Sequence, residues 1–302
     1  MESKTVSHYT GSIVYLPPDK AGSFALDLEV KARVRLLENK KIFINGYNNA
    51  KIKKISRDIL NLFGYKNGLE IEIISEISYE IGLGGLESIS SAVAMGIASA
   101  LAIDRGSINV LKIDRYLKEQ FLEIDGKIVN KLDLIKICAS HGLRFDKLCA
   151  SMYGGFFLCN NRKQKILRRG EMENLHALVI TTEISENLKP VKNELRIVWN
   201  ETLKGNLYTA MRLNSHLLSN KELVDSLITS GALTVACSDG TLITLYRDKK
   251  FIEKMEKSLA SKYKLIRTKI TNNATEVLRK PRKIVRTKEF LEMDGGKKYY
   301  FL

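Results

Sequence analysis

Residues that staple, ligate or break a chain are scarce among the 302: four cysteines, four histidines, four prolines and one tryptophan. Cys138, Cys149, Cys159 and Cys237 stand apart, and His141 is the only histidine near the first three. No Cys-x-x-Cys pair occurs, so zinc-site spacing is absent and a disulfide framework is not expected at this length. Buried free thiols in a reducing compartment are expected instead. No apolar run approaches the ~18 uninterrupted residues of a membrane span. Residues 1–10 lack the apolar core of a secretory leader, so a cytoplasmic protein is expected. Glutamine is nearly missing as well (Gln120 and Gln164) beside abundant Lys, Ile and Glu. That bias fits a protein from a hot habitat.

What remains is ordinary globular composition, 44% hydrophobic and 27% charged, which excludes disordered, collagen-like and mucin-like chains. The length fits one large or two medium domains. Lys and Arg number 49 against 34 acidic residues, a net charge of +15. Such a balance favours anionic partners: a nucleotide, a phosphorylated or carboxylated metabolite, a nucleic acid or a membrane surface. The charge concentrates locally at residues 51–54, 162–169 and 279–288. No basic run is interleaved with aromatics, and no zinc finger or RNA-recognition signature occurs. Solvated lysines account for most of the charge, and neither a nucleic-acid nor a membrane partner is expected. The basic segment at 279–288 can equally pack on the domain or lie in solvent.

Alternation through Ile13, Tyr15, Phe24, Leu26, Leu28, Val30 and Val34, broken at Pro17-Pro18-Asp19, predicts two strands joined by a turn. Helical spacing over residues 52–63 ends at Gly64 and Asn67-Gly68, and residues 69–77 alternate as a strand. Small residues predict a tightly packed helix over 88–101. Further helices are expected at 111–122, 132–140, 145–151, 224–233 and 251–263, and across 191–218 with a break at Gly205. Strands are expected at 156–159, 177–182, 242–247 and 264–270. The mixture is α+β rather than regular βαβ alternation. It carries no internal repeat, and a domain seam is expected near residues 160–176.

The sharpest local signal is a glycine turn, Gly82-Leu83-Gly84-Gly85, feeding a serine-rich helix. Glycines let backbone N–H groups approach a phosphate without side chains in the way. The helix behind them adds unpaired N–H donors and its positive dipole end. Ser88, Ser90 and Ser91 can hold phosphate oxygens or cap that helix. Walker A is excluded because no Gly-Lys-Ser/Thr follows, and the dinucleotide fingerprint fails because Glu87 stands at its third glycine. Glu87 either repels a phosphate or points away and complements the helix dipole. A glycine turn ahead of a close-packed helix reads equally as plain packing.

Together with two later segments, this loop resembles kinases of the galactokinase–homoserine kinase–mevalonate kinase–phosphomevalonate kinase (GHMP) superfamily, and is most similar to the archaeal shikimate kinase branch. Gly85-Leu86-Glu87-Ser88-Ile89-Ser90-Ser91-Ala92 is similar to that branch's Gly-Leu-x-Ser-Ser-Ser-Ala with one inserted residue, and Ile81 stands where proline is usual. A second register uses Gly82-Leu83 with a longer insertion before Ser90-Ser91-Ala92-Val93. Phe145-Asp146-Lys147-Leu148-Cys149-Ala150-Ser151, with Gly154-Gly155, resembles Phe-Asp-Asp-Ala-Cys-Ala-Ser and its following glycines, and Asn160-Asn161 resembles Thr-Asp-Asn. Ala210-Met211-Arg212-Leu213-Asn214 and Ala21-Gly22-Ser23-Phe24 match two further segments. The late Ser-Gly-Thr-Gly-Pro is here Ser238-Asp239-Gly240-Thr241-Leu242, and Lys147 replaces the second aspartate. The similarity runs in order over residues 8–278.

The resemblance implies a two-domain α+β GHMP-kinase-like fold, residues 1–160 and 161–302, with the active site in the cleft between them. It implies ATP and Mg²⁺ as cofactors and phosphorylation of a shikimate hydroxyl. Gly82, Leu83, Gly84, Gly85, Leu86, Ser88, Ser90 and Ser91 would hold ATP, with Ser90 or Ser91 near the metal. Asp146 would be the base or hydroxyl-orienting carboxylate, or else a cap for the helix that follows it. Lys147 would neutralise the transferring phosphoryl group or pair with Asp146. Arg144 would take a substrate carboxylate on its planar fork, and Ser238, Gly240 and Thr241 would form a substrate turn or a plain hairpin turn. A catalytically eroded kinase fold acting as a metabolite- or protein-binding module is the alternative.

Overall fold

The alternation within residues 8–36 is realised as two strands far longer than the usual ~5–6 residues. They are β1 (Glu2–Leu16) and β2 (Lys20–Leu36), paired antiparallel with register shifts between His8 and Thr10 and between Ser12 and Val14. In this computed structural model the described residues are 1–16, 19–112, 118–181, 192–278 and 283–286. Pro17-Pro18 and most of the basic segment 279–288 lie outside them. The chain continues through β3 (Ile42–Asn45), α1 (Ala50–Leu62), β4 (Leu69–Ser75) and α2 (Gly85–Arg105). It then forms β5 (Gly106–Lys112), β6 (Lys118–Ile124), β7 (Lys127–Val129), α3 (Lys131–Ser140) and α4 (Phe145–Tyr153). Next come β8 (Phe156–Asn160), β9 (Lys165–Gly170), β10 (His176–Thr181), α5 (Lys192–Lys204), α6 (Leu207–Leu218) and α7 (Lys221–Thr229). It closes with β11 (Thr234–Ser238), β12 (Thr241–Tyr246), α8 (Lys249–Leu259), β13 (Lys264–Lys269), β14 (Glu276–Val277) and β15 (Lys283–Arg286).

Three sheets result among the described residues. The first has the order β14-β1-β2-β4-β3, and it forks because β2 pairs β4 along its second half and β8 along its first. The second is the antiparallel sheet β11-β12-β10-β13, whose strands β10 and β12 are almost wholly buried. The third is β15-β5-β6-β7. It replaces the helix expected at 111–122: β5 and β6 pair antiparallel from Gly106–Ile124 to Lys112–Lys118, and residues 113–117 lie outside the described ones. Within the basic segment, Lys283–Arg286 pairs in parallel with β5.

Helix α2 is buried on nearly every side, so its small residues have a physical cause. Ser3 and Thr5 of β1 donate their hydroxyls to the carbonyls of Gly96 (2.6 Å) and Ala92 (2.8 Å), which draws helix and sheet close. A Cβ on Gly96 would lie 2.7 Å from Val34 Cγ2. Gly96→Val is therefore expected to cost about 1–3 kcal/mol by overpacking, read as a lower urea midpoint at constant m. An unchanged midpoint would mean the sheet yields at this position. α2 is also the one helix among the described residues long and apolar enough to cross a membrane, but 89% of that stretch is buried within the molecule. It is a core helix. All four cysteines are buried and free, and burial pushes the Cys138 thiol up to about 12.

Candidate active site

The glycine turn and α2 are placed by backbone constraints that only glycine meets. Gly82 (φ 79°) and Gly84 (φ 65°) both occupy the left-handed region. A Cβ on Gly82 would lie 2.5 Å from the Asp239 carbonyl oxygen, and one on Gly84 would lie 2.9 Å from Lys147 Cδ. The turn is thus pressed against two segments remote in sequence. Leu83 is buried, and its carbonyl accepts the Thr10 N–H at 2.9 Å. α2 opens at Gly85 itself, the glycine of the first of the two registers, and no side chain caps its N-terminus. Leu86 is half-buried on the first turn. Ser88 donates back to the Gly84 carbonyl at 2.8 Å. Ser90 and Ser91 lie deeper along the helix, fully buried, with hydroxyls that have no partner among the described residues.

The segment 238–241 joins β11 to β12 as a two-residue hairpin. Asp239 (φ 44°) and Gly240 (φ 82°) both have positive φ, the type I′ geometry that Asp-Gly favours. The hairpin is fastened to the glycine turn. Ser238 Oγ donates to the Gly82 carbonyl at 2.9 Å, and Thr241 Oγ1 donates to the Ile81 carbonyl. Ser12 and Ser238 share a hydroxyl contact at 3.2 Å. The hydroxyls of Ser238 and Thr241 thus donate to the turn's carbonyls and shape it.

Helix α4 supplies the charged centre. Arg144 Nε and Nη2 donate to Asp146 Oδ1 (3.2 Å) and Oδ2 (2.8 Å), a bidentate pair. Asn161 Nδ2 donates to Oδ1 at 2.9 Å, and the Ser23 hydroxyl donates to Oδ2. Asn161 returns the contact by accepting the Asp146 N–H at 3.0 Å. Burial pushes the Asp146 carboxyl up, but the charge of Arg144 and the donors on both oxygens outweigh it and hold it below its ordinary value. Lys147, 1% exposed, reaches Asp239 Oδ2 at 2.5 Å and Ser238 Oγ at 3.5 Å. Arg144 Nη1 stands 3.8 Å from Asp239 Oδ1. Glu87 turns to α4, where its Oε1 accepts the Arg144 N–H at 3.2 Å.

The three segments singled out from the sequence, 82–91, 144–147 and 238–241, meet in one polar cluster. The contacts within it bear on the part each residue can play. Asp146 is sealed and carries four donors on its two oxygens, which fills the lone-pair sites of a carboxylate, so it has none left with which to take a proton. Arg144 spends its fork on Asp146 and offers no such fork to a substrate carboxylate. Lys147 pairs with Asp239 and not with Asp146. Asp239, Ser23 and Asn161 are the participants that residue reasoning gave no part in the chemistry. For Asn161 its place after the Gly-Gly pair was a usable signal. Asp239 reads in sequence only as half of a turn.

No family model matches the chain. The shikimate kinase of Pyrococcus furiosus is 28% identical over 182 residues, a match covering 57% of this chain and 60% of that protein, so it spans less than two thirds of that relative's length. Among solved structures, the homoserine kinase from Cytophaga hutchinsonii superposes with a TM-score of 0.68 at 15% identity, covering 92% of this chain and 97% of that one. The structure of MDDEF in complex with MVAPP, AMPPCP and magnesium superposes with a TM-score of 0.60 at 14% identity, covering 93% and 99%. The chain has the α+β fold of the GHMP kinases and is a distant homologue of the archaeal-type shikimate kinases.

Proposed function

We propose that this chain is an ATP-dependent small-molecule kinase that phosphorylates a hydroxyl of shikimate, giving shikimate 3-phosphate. One observation carries the reading: a glycine turn at an uncapped helix N-terminus is fastened to a hairpin and faces a buried lysine. Phosphoryl transfer asks the protein for cradled phosphates and placed charge rather than covalent chemistry. The turn and the first N–H groups of α2 suit the phosphates of ATP, because no side chain caps that helix end and Lys147 packs beside it. Among the described residues no three His, Cys, Asp or Glu gather into a metal cluster. Mg²⁺ needs none, since it keeps several waters and takes one or two carboxylates with phosphate oxygens. Glu87, whose Oε2 lies beside Gly84 on the first turn of α2, would hold it, and the ion would supply neutralisation of the phosphate charge. Residues 1–160 and 161–302 would form the two walls of the cleft. The choice of shikimate rests on the relatives.

A coupled ADP-release assay with Mg-ATP and a panel of shikimate, homoserine and mevalonate tests this. Turnover is expected with shikimate alone, and turnover with another acceptor only would reassign the substrate. A second reading, a binding module without turnover, is favoured by one fact: the charges of the cluster are already neutralised in pairs, Arg144 with Asp146 and Lys147 with Asp239. Silence with every acceptor, alongside a rise in Tm with Mg-ATP, would establish that reading instead.

A further inference from the structure

We infer that Asp239, not Asp146, is the carboxylate that receives the proton of the acceptor hydroxyl. This rests on the kinase reading above and names the group that does its proton chemistry. The two carboxylates differ in what their oxygens have left to offer. Asp146 is fully buried with every acceptor position taken. The Asp239 side chain is 54% exposed. Its Oδ2 is held by Lys147, while Oδ1 has, among the described residues, the 3.8 Å approach of Arg144, so its acceptor sites are not filled as those of Asp146 are.

Its placement serves the same end. The Asp239 carbonyl packs directly on Gly82, so the carboxylate is anchored one residue from the turn that would cradle the phosphates. The type I′ turn and a lysine with 1% exposure fix it there. The groups facing it are Lys147 and Arg144 from α4, with Asp146 beside them and Glu87 of α2 behind Arg144. Burial pushes the Asp239 carboxyl up, yet Lys147 and Arg144 bring it below its ordinary value, so it is ionised at neutral pH. A weakly basic carboxylate suffices, because in a loose phosphoryl transfer the hydroxyl becomes acidic only as its oxygen bonds to phosphorus. The acceptor oxygen forms its bond to the γ-phosphorus, and the bridging P–O bond breaks with its electron pair leaving on ADP. The hydroxyl proton passes to Asp239 Oδ1, which then returns it to water.

Asp239→Asn tests this cleanly, since Asn-Gly favours the same turn and the amide oxygen still accepts from Lys147. With shikimate and Mg-ATP, kcat is expected to fall about 10²-fold with KM for Mg-ATP unchanged, and Tm to fall because buried Lys147 loses its counter-ion. The parent's kcat should decline at acid pH, and the variant should lack that limb. Asp239→Gly, another dipeptide suited to the turn, should show the same loss and covers the case in which the first variant folds poorly. Parental kcat in either folded variant overturns the inference and leaves the kinase reading intact. A parent active only with another acceptor, and impaired by Asp239→Asn, keeps the inference and discards shikimate. A parent silent with every acceptor overturns both.

Discussion

Asp146→Asn is expected to cost the fold about 3–5 kcal/mol, the loss typical of removing one partner from a buried ion pair. The substitution keeps the shape and removes the charge. It takes from Arg144, 19% exposed at its side chain, its bidentate counter-ion, and turns an NH₂ group toward Arg144, Ser23 or Asn161, which already donate. The pH dependence has a definite sign. Asp146 in the folded state lies below its ordinary value of 3.8, so its contribution is complete above that value. It is lost as the pH falls from there through the lowered one. The parent's urea midpoint should therefore drop in acid, and Asp146→Asn should start low and show less of that drop. A variant with parental stability and no turnover would return the base role to Asp146.

Lys147→Met is expected to do the opposite. Its ammonium is the positive charge packed between the glycine turn and Asp239, and fixed charge at a phosphoryl-transfer site is worth more than the same charge in water. Losing one such donor typically costs ~10²–10³ in kcat, and the upper end is expected here because the carboxylate loses its anchor too. Stability should change little. Met matches the length of the buried stem, and Asp239, half exposed, is solvated when left alone. Equal melting curves with a large fall in kcat would verify this, whereas parental turnover would remove the lysine from the chemistry. Lys147→Asp would set a second carboxylate against Asp239. It should lose stability and gain no activity.

Much of the architecture is legible in local pattern, because β4, α1 and the second half of β2 each bury one regular face, while the small residues of α2 mark a helix buried nearly all round. The failures have identifiable causes. Residues 111–122 place apolar side chains at helical intervals, but those intervals are compatible with two short strands, and pairing between β5 and β6 decides the matter. Strand β9 is mostly exposed and basic, so its charges read as a seam, although charge on a strand is how sheets protect themselves from further pairing. The helix expected from Val224 begins at Lys221, since Asn220 caps it by accepting the Leu223 N–H. In the site, glycines and motif order identify the three segments. They do not say which carboxylate is saturated and which is open. Asp146 and Asp239 differ through partners 123 and 92 residues distant in sequence, Ser23 and Lys147.

Those distances also govern when the site can exist during folding. Ser12 meets Ser238 across 226 residues, Ser238 meets Gly82 across 156, and Lys147 meets Asp239 across 92. Contacts between such remote positions pay their loop-closure entropy before returning any stability. The first sheet, with its local hairpin of β1 and β2, can assemble before the second, but no part of the chain shorter than residues 12–241 contains the whole cluster. The polar cluster is thus completed late on refolding, when the hairpin at Asp239 docks on a turn made more than 150 residues earlier.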